Sequence, residues 1–199
     1  MRFIGDIHGN FNEYLAVIDG QKNSIQVGDF GVGFGIDPPV VGEGHKFIRG
    51  NHDDLKICRT LPGWINDGEV EETRFGPMML IGGAWSIDWE YRTAGHDWWY
   101  DEELNDYEFE ALFEKYKEVK PSIMITHDLP FDIKNQIVIN KFNGIGKTRT
   151  GHWLQEMFNV HQPDLWICGH HHQNIREEIE GTIFIVLGIN AYIDIELEK

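Results

Sequence analysis

The chain has 199 residues, which suits one domain with a sizeable hydrophobic core, whereas two full domains would be cramped. Its composition, 41% apolar and 13% aromatic, is that of a globular protein and excludes a disordered or fibrous chain. The formal net charge of −16 at pH 7 repels polyanions, so nucleic acid is an unfavourable partner unless a bound metal reverses the charge locally. We therefore predict a single domain over residues 1–199.

The cysteines and the N-terminal residues bear on the compartment. Cys58 and Cys168 each lie beside an apolar segment, which predicts buried, reduced thiols and no disulfide framework. Met1 and Arg2 lead straight into an apolar segment, and nothing there resembles a signal peptide. No apolar run approaches the ~20 residues that a membrane-spanning helix needs. We expect a soluble, cytoplasmic protein without a membrane partner.

Short apolar runs alternate with helical patterns from the N-terminus onward, which is typical of an α/β protein. After the first strand, Asn10 or Asn12 can cap a helix in which Phe11, Leu15 and Ile18 recur at helical spacing. Later, acidic residues crowd the start of segment 101–119 and lysines its end, which favours a helix. The predicted strands are 2–5, 24–28, 46–49, 70–75, 78–81, 122–126, 164–168, 182–188 and 192–197. The first predicted helix ends near residue 18. The other predicted helices span 54–59, 101–119 and 150–160, and Thr150 would cap the last of them.

Two glycine-rich segments invite a phosphate-loop interpretation. Residues 30–35 fit neither nucleotide-binding glycine pattern, and no helical pattern follows, so we predict a flexible turn at the site entrance. Residues 144–148 resemble the end of a P-loop, but Lys141 stands where the first glycine belongs. We therefore expect no P-loop in this chain.

An aromatic-rich segment spans residues 84–100 and contains four tryptophans and two tyrosines. Such a segment is more often a folded-down lid or a small satellite core than a platform that stacks on a ligand. Within it, Arg92 is the residue that we expect to bind an anion.

Metal-binding side chains follow five of the predicted strands. Because ligands of open α/β sheets gather at the carboxyl ends of strands, these side chains should converge on one site. Any one of the segments could be an ordinary loop, but five in succession favour a site. The donors are Asp6, His8, Asp29, Asn51, His52, His127, His170 and His172.

Oxygen and imidazole donors without thiolate suit borderline divalent cations. We predict two such ions, with manganese first and iron, zinc or nickel as alternatives. Two cations ~3.5–4 Å apart can clamp the attacking and leaving oxygens of a phosphoryl transfer and lower the pKa of a bridging water, giving a hydroxide nucleophile. The remaining histidines, His45, His96, His152 and His161, are expected to pack or lie on the surface. In a locally extended triple histidine, His170 and His172 project to one side and His171 points away, so we expect His171 either behind the ligands or on the surface.

The order of the motifs resembles that of the calcineurin-like metallophosphoesterase superfamily. The matching segments are Asp6-Ile7-His8, Gly28-Asp29, Gly50-Asn51-His52-Asp53, His127 and Gly169-His170-His171-His172. This resemblance implies an α/β fold, a four-layer α/β/β/α sandwich of two mixed sheets flanked by helices.

The resemblance also implies roles for the residues. Asp29 would bridge the two metals, His52 would contact the phosphate and act as general acid, and Asp53 would lie just behind the ligands. Arg49, like Arg92, is expected to neutralise phosphate oxygens, and Asn51 would bind metal without adding charge against the incoming phosphate. The implied ligands of one metal are Asp6, His8, Asp29 and His172. Those of the other are Asp29, Asn51, His127 and His170.

One departure limits the subclass. Phosphoprotein phosphatases of this superfamily extend the second motif to G-D-x-x-D-R-G, whereas residues 28–34 here lack the second Asp and the Arg. Arg49 and the opening Gly5-Asp6-Ile7-His8-Gly9 do match that branch, and the opening is shared with diadenosine-tetraphosphate hydrolases. The segment from Gly82 to Trp99 looks like one in small bacterial and phage metallophosphoesterases of uncertain substrate.

The leading hypothesis is a dimetal phosphoesterase acting on a small phosphorylated or nucleotide substrate. The alternatives within the superfamily are a phosphoserine/threonine phosphatase and a phosphodiesterase or nuclease. A non-catalytic, metal-binding interaction module is the alternative outside enzymes, although such a protein would be expected to lose ligands, and this chain has all of them. The sequence leaves the oligomeric state open.

Overall fold

The strands form where short apolar runs lie between turn residues, and the computed structural model describes them within residues 1–139 and 148–197. The strands are β1 (Arg2–Ile4), β2 (Ser24–Val27), β3 (His45–Ile48), β4 (Glu69–Thr73), β5 (Gly76–Ile81), β6 (Ile123–Thr126), β7 (Leu165–Cys168), β8 (Ile175–Ile179), β9 (Thr182–Val186) and β10 (Tyr192–Asp194). The helices are α1 (Phe11–Ile18), α2 (Leu55–Cys58), α3 (Asp106–Val119), α4 (Phe131–Ile137) and α5 (Arg149–Val160), with a short 3₁₀ turn at Trp89–Tyr91.

The described strands form two mixed sheets. The first has the order β10-β1-β2-β3, in which β10 is antiparallel to β1 and the other pairs are parallel. The second has the order β4-β5-β6-β7-β9-β8, with parallel pairs in its centre and an antiparallel hairpin at each edge. The parallel strands β2, β6 and β7 are buried over almost their whole length, as expected of strands covered on both faces.

Alternation of side chains along the strands builds three apolar layers. Phe3 and Ile125, one from each sheet, belong to the core between the sheets. Ile4 points the other way and packs with α1 and α2, whereas Met124 faces a core shared with α3, α4 and α5. The predicted fold, two mixed sheets flanked by helices, is therefore confirmed.

Several element boundaries differ from the prediction. Helix α3 begins at Asp106 because Asn105 caps it in a reciprocal capping box with Glu108. Helix α5 begins at Arg149 because the cap is Thr148, whose hydroxyl accepts from the Gly151 amide, so Thr150 is not the cap. The last strand ends at Asp194, well before residue 197.

Two elements escaped prediction. Helix α4 is short and polar, so its sequence carries no clear helical periodicity. Strand β8 is an edge strand with charged residues over most of its length, and it forms a hairpin with β9. The rejected P-loop segment lies mainly outside the described residues. No helix in the described ranges is long and apolar enough to cross a membrane.

Candidate metal centre

The predicted donors meet where strands of both sheets end. Those that follow β1, β2 and β3 come from the first sheet, and those that follow β6 and β7 come from the second. Their ligand atoms form two groups, and within each group the atoms lie within 4.8 Å of one another. The first group is Asp6, His8, Asp29 and His172. The second group is Asp29, His127 and His170.

In the first group, carboxylates and imidazoles face one another closely. His172 Nε2 is 3.0 Å from Asp6 Oδ2 and 3.0 Å from His8 Nε2. His8 Nε2 is also 3.8 Å from Asp6 Oδ2 and 3.8 Å from Asp29 Oδ2. The Asp6 carboxylate raises the pKa of His172 above its usual value through their close contact, against the opposing effect of burial. Four donor side chains thus converge on one small volume.

The second group includes an amide side chain. Asn51 Oδ1 is 3.1 Å from His127 Nε2, which is in turn 3.4 Å from Asp29 Oδ1. The amide is oriented by its other end, because Asn51 Nδ2 donates to Ser86 Oγ at 2.8 Å and Ser86 donates to the buried carboxylate of Glu102. This chain of hydrogen bonds keeps the carbonyl oxygen of Asn51 directed at the group.

The two buried members of the second group, Asp29 and His127, are electrostatically linked. Burial alone would raise the pKa of Asp29, but the charges of His127, His52 and His8 hold it well below its usual value. Burial alone would lower the pKa of His127, but Asp29 raises it to about 9. His127 Nδ1 lies 2.9 Å from the carbonyl oxygen of Val27, so loss of the other proton, from Nε2, would leave the Nε2 lone pair facing Asp29 and Asn51.

Backbone strain is concentrated at these donors. Among the described residues, His8, Asp29, His170 and His172 all adopt positive φ, at 48°, 57°, 64° and 53°. Such conformations each cost a non-glycine residue on the order of 1 kcal/mol and cluster at functional sites. The left-handed backbone at His170 and His172 also corrects our reasoning from an extended triple histidine, although both rings do reach the two groups.

Two glycines let the backbone approach the carboxylates closely. A Cβ on Gly50 would lie 2.0 Å from Asp29 Oδ1, and a Cβ on Gly169 would lie 2.2 Å from Asp6 Oδ1. These carboxylates accept backbone N–H bonds from His52 at 2.9 Å and from His170 at 3.0 Å, respectively.

The donor set fits divalent cations. Asp6 Oδ2 is buried and accepts no well-oriented hydrogen bond, although His172 Nε2 is close. A buried carboxylate oxygen without a donor is costly unless a cation completes its surroundings. Carboxylate, amide and imidazole donors without thiolate are the ligands of manganese, iron, zinc or nickel. The residues present therefore fit the predicted metals.

Asp53 ties together the loops that carry Asp29 and Asn51. Its carboxylate accepts four backbone N–H bonds, from Phe30 at 3.0 Å, Gly31 at 2.7 Å, Val32 at 2.8 Å and Gly50 at 2.8 Å. Burial raises the pKa of Asp53, and the charge of Asp29 acts in the same direction against these amide donors. The glycine-rich loop is therefore held firmly at its start.

The aromatic-rich segment brings Arg92 to His52. Arg92 Nη1 is 2.7 Å from His52 Nδ1, and Nη2 is 3.2 Å from His52 Nε2. On its other side the guanidinium donates to both carboxylate oxygens of Asp88, at 2.7 and 2.8 Å. Burial lowers the pKa of His52, and Arg92 adds to this effect while Asp29 opposes it. The His52 ring also lies 6.2 Å from that of Phe34.

Packing interactions within the aromatic-rich segment accompany this arrangement. Trp99 is buried and stacks on Phe34, with ring centroids 5.8 Å apart, and Trp98 contacts Trp89 and Tyr100. Not all aromatic side chains of the segment pack in this way, because Tyr91 and Tyr100 are exposed and Trp85 lines the cleft.

Arg49 is not brought to the site. Its side chain is fully buried and donates to Asp67 Oδ2 at 3.2 Å and to the carbonyl oxygens of Asp101 and Glu102 at 2.9 and 2.7 Å. With no exposed surface it cannot meet a substrate phosphate here. It instead anchors the turn that precedes α3.

Sequence reasoning missed the residues on the far side of His170. Asp128 is buried, its Oδ1 is 3.1 Å from His171 Nε2, and His171 is nearly buried rather than on the surface. Burial alone would raise the pKa of Asp128, but the charge of Lys134 and the contact with His171 lower it strongly. A cleft of about 650 Å³ runs from the donors to this wall, where Lys134 and Asp128 lie. In the sequence, only the position of Asp128 directly after His127 indicated that Asp128 lies near the site.

Solved structures share this fold. A Staphylococcus aureus protein described as a candidate 5′-nucleotidase, in complex with alpha-ketoglutarate, matches with a TM-score of 0.58 and 14% identity over 96% of this chain and 48% of that one. GAP50, described as the anchor in the inner membrane complex of Plasmodium, matches with a TM-score of 0.49 and 10% identity over 94% and 71% of the two chains. The chain thus spans about half the length of the S. aureus protein. No protein-family model and no curated protein matches the sequence.

Proposed function

We propose that the chain is a metal-dependent phosphoesterase whose active site is the pair of ligand groups that share Asp29. The observation that supports this most is the sharing itself: one carboxylate belongs to both groups, and each group combines donors from both sheets. Two divalent cations bridged in this way are typical of enzymes that displace an oxygen at phosphorus.

We assign the metal ligands from these distances. Asp6, His8, Asp29 and His172 would hold one ion. Asp29, Asn51, His127 and His170 would hold the other. We favour manganese, with iron, zinc or nickel as alternatives. When bound, such cations supply Lewis acidity toward the phosphoryl oxygens and lower the pKa of the attacking water.

Arg92 is the residue that we assign to the phosphate. It lies at the cleft, and Asp88 fixes the plane of its guanidinium through two hydrogen bonds. A planar guanidinium held in this way can offer its remaining N–H donors to phosphate oxygens. Those donors now face His52, so an incoming phosphate would compete with the imidazole for them.

His52 is the residue that we assign to the leaving group. Its Nε2 faces Asp29 Oδ2 at 3.9 Å and therefore borders the ligand groups. Once Arg92 turns to phosphate, His52 can carry a proton. In the reaction a water oxygen forms a new bond to phosphorus and its proton passes to solvent. The bond between phosphorus and the leaving oxygen breaks, and that oxygen keeps the electron pair and receives a proton from His52.

The cleft suits a small substrate. Its volume of about 650 Å³ lies in the range of pockets that bind small molecules, and its walls combine polar donors with apolar side chains such as Trp85 and Ile87. We therefore favour a small phosphorylated molecule or a nucleotide over a phosphorylated protein. The acidic net charge of −16 disfavours a nuclease.

The test uses purified protein that is stripped of metal and reloaded with manganese. We expect it to cleave p-nitrophenyl phosphate or its bis-ester. His52→Ala should retain metal, measured by elemental analysis, and lose at least ~100-fold in kcat. His96→Ala, which removes an exposed histidine of the aromatic-rich segment, is the control and should behave as wild type. If the metal-loaded wild type cleaves neither ester, the proposal fails.

A further inference from the structure

Lys134 presents a positive charge at the wall of the cleft. It lies in α4, only 7% of it is exposed, and it lines the same cleft as Asn51 and His170. Within the described part of the chain its ammonium group donates no hydrogen bond, and the nitrogen lies 5.7 Å from the centroid of the Phe131 ring. A lysine whose stem is buried while its charged end opens onto a cleft has N–H donors available to an anion there.

The carboxylate of Asp128 explains how this charge is tolerated. Asp128 is fully buried and interacts electrostatically with Lys134 without a direct hydrogen bond. Its Oδ1 is already engaged by the Leu129 amide at 2.8 Å and by His171 at 3.1 Å. Asp128 therefore offsets the cost of burying Lys134 while leaving the three N–H donors of the ammonium group unused.

The wall that carries Lys134 is fixed to the histidine loop. Gln173, directly after His172, accepts from the Ile139 amide at 3.1 Å and donates to the Ile139 carbonyl at 3.0 Å. The contact between Asp128 and His171 provides a second tie. The distance between Lys134 and the candidate metal centre is therefore set by the fold.

We propose that Lys134 is a second anion-binding subsite, so that the preferred substrate carries a phosphate or carboxylate group near the phosphate that is hydrolysed. This inference rests on the proposed function. It deepens that function by naming a substrate with two anionic groups in place of a simple monoester. Bound metals and Arg92 would hold the reacting phosphate, and Lys134 would hold the second group.

The test compares three non-hydrolysable ligands by calorimetry on the manganese-loaded protein: methylphosphonate, methylenediphosphonate and phosphonoacetate. The last two add a phosphonate or a carboxylate to the first. Because both also chelate metal in solution, the comparison is between wild type and Lys134→Met under identical conditions. We expect the substitution to weaken binding of at least one two-anion ligand about tenfold and to leave methylphosphonate binding unchanged.

Two further variants and an activity measurement make the result decisive. Lys134→Arg keeps the charge and should restore binding, and Lys117→Met, which removes an exposed lysine paired with Glu114, should have no effect. A loss confined to methylenediphosphonate identifies the second group as a phosphate, and a loss confined to phosphonoacetate as a carboxylate. Equal binding by wild type and Lys134→Met, or an equal loss for all three ligands, overturns the subsite. Absence of turnover with every ester would instead contradict the proposed function, because the binding comparison does not require turnover.

Discussion

Replacing Gly169 by alanine should disturb the metal centre while sparing the fold. The new Cβ would lie 2.2 Å from Asp6 Oδ1, whereas its next contacts, Asp6 Cγ and Val27 Cγ2, are both at 3.4 Å. The backbone at Gly169 does not have positive φ, so alanine itself is tolerated there. The carboxylate of Asp6 must therefore move by about 1 Å to reach an ordinary contact of about 3.4 Å.

That movement has two consequences of different size. The carboxylate loses its hydrogen bond from the His170 amide, which costs about 2 kcal/mol in the metal-free protein and lowers Tm by ~6 °C. A misplaced ligand or supporting contact reduces metal affinity about 10–100-fold. We therefore expect a modest loss of stability together with a large loss of metal binding.

Calorimetric titration with manganese and thermal melting of the metal-free protein measure the two effects separately. Gly42→Ala is the matched control, because the nearest atom to its new Cβ is 3.9 Å away, and it should change neither quantity. Wild-type manganese affinity in Gly169→Ala would refute the assignment of Asp6 as a ligand. A metal-free variant that fails to fold would refute the claim that the clash is confined to one side chain.

The remaining predictions concern the supporting contacts and the metals. Asp53→Asn should lower the free energy of unfolding in urea by about 3 kcal/mol, because an amide cannot accept from all four N–H donors. Asp54→Asn should lower it little, since asparagine caps a helix equally well. Equal losses for the two variants would contradict this role of Asp53. Arg92→Lys should raise KM for a phosphate ester and Ki for orthophosphate about tenfold, because lysine cannot keep the two-point contact with Asp88, and an unchanged Ki would remove Arg92 from the phosphate site. Chelation of metal bound at ~1,000 times its Kd should lower Tm by about 10 °C, corresponding to ~4 kcal/mol, and a melting curve indifferent to chelator and manganese alike would leave the centre without a metal.

The α/β class and the donors of the candidate site were predictable because both depend on local patterns. Asp6, Asp29 and His127 each follow a short apolar strand, and parallel strands bring their carboxyl ends to one edge. The division of the strands into two mixed sheets was instead an implication of the family resemblance, and the observed strand order confirms it.

Other parts of the site depend on contacts that no local pattern encodes. Arg49 adjoins a donor motif, yet its side chain donates to Asp67 and to the turn before α3. These contacts arise from tertiary packing. Asp128 belongs to none of the sequence motifs, and its electrostatic interaction with Lys134 of α4 becomes visible only in the folded chain. Ser86 orients Asn51 from a distance of 35 residues along the chain.

The candidate centre also joins the two halves of the sandwich. Asp6 and Asp29 follow strands of the first sheet, and His127 and His172 follow strands of the second. Each ion would therefore be bound by ligands from both sheets. Ion binding would then stabilise the contact between the two sheets, and displacement of one sheet relative to the other would remove ligands from the ions. Amide hydrogen exchange in β1 and β7, which belong to different sheets and are followed by Asp6 and His170, should slow together when metal binds.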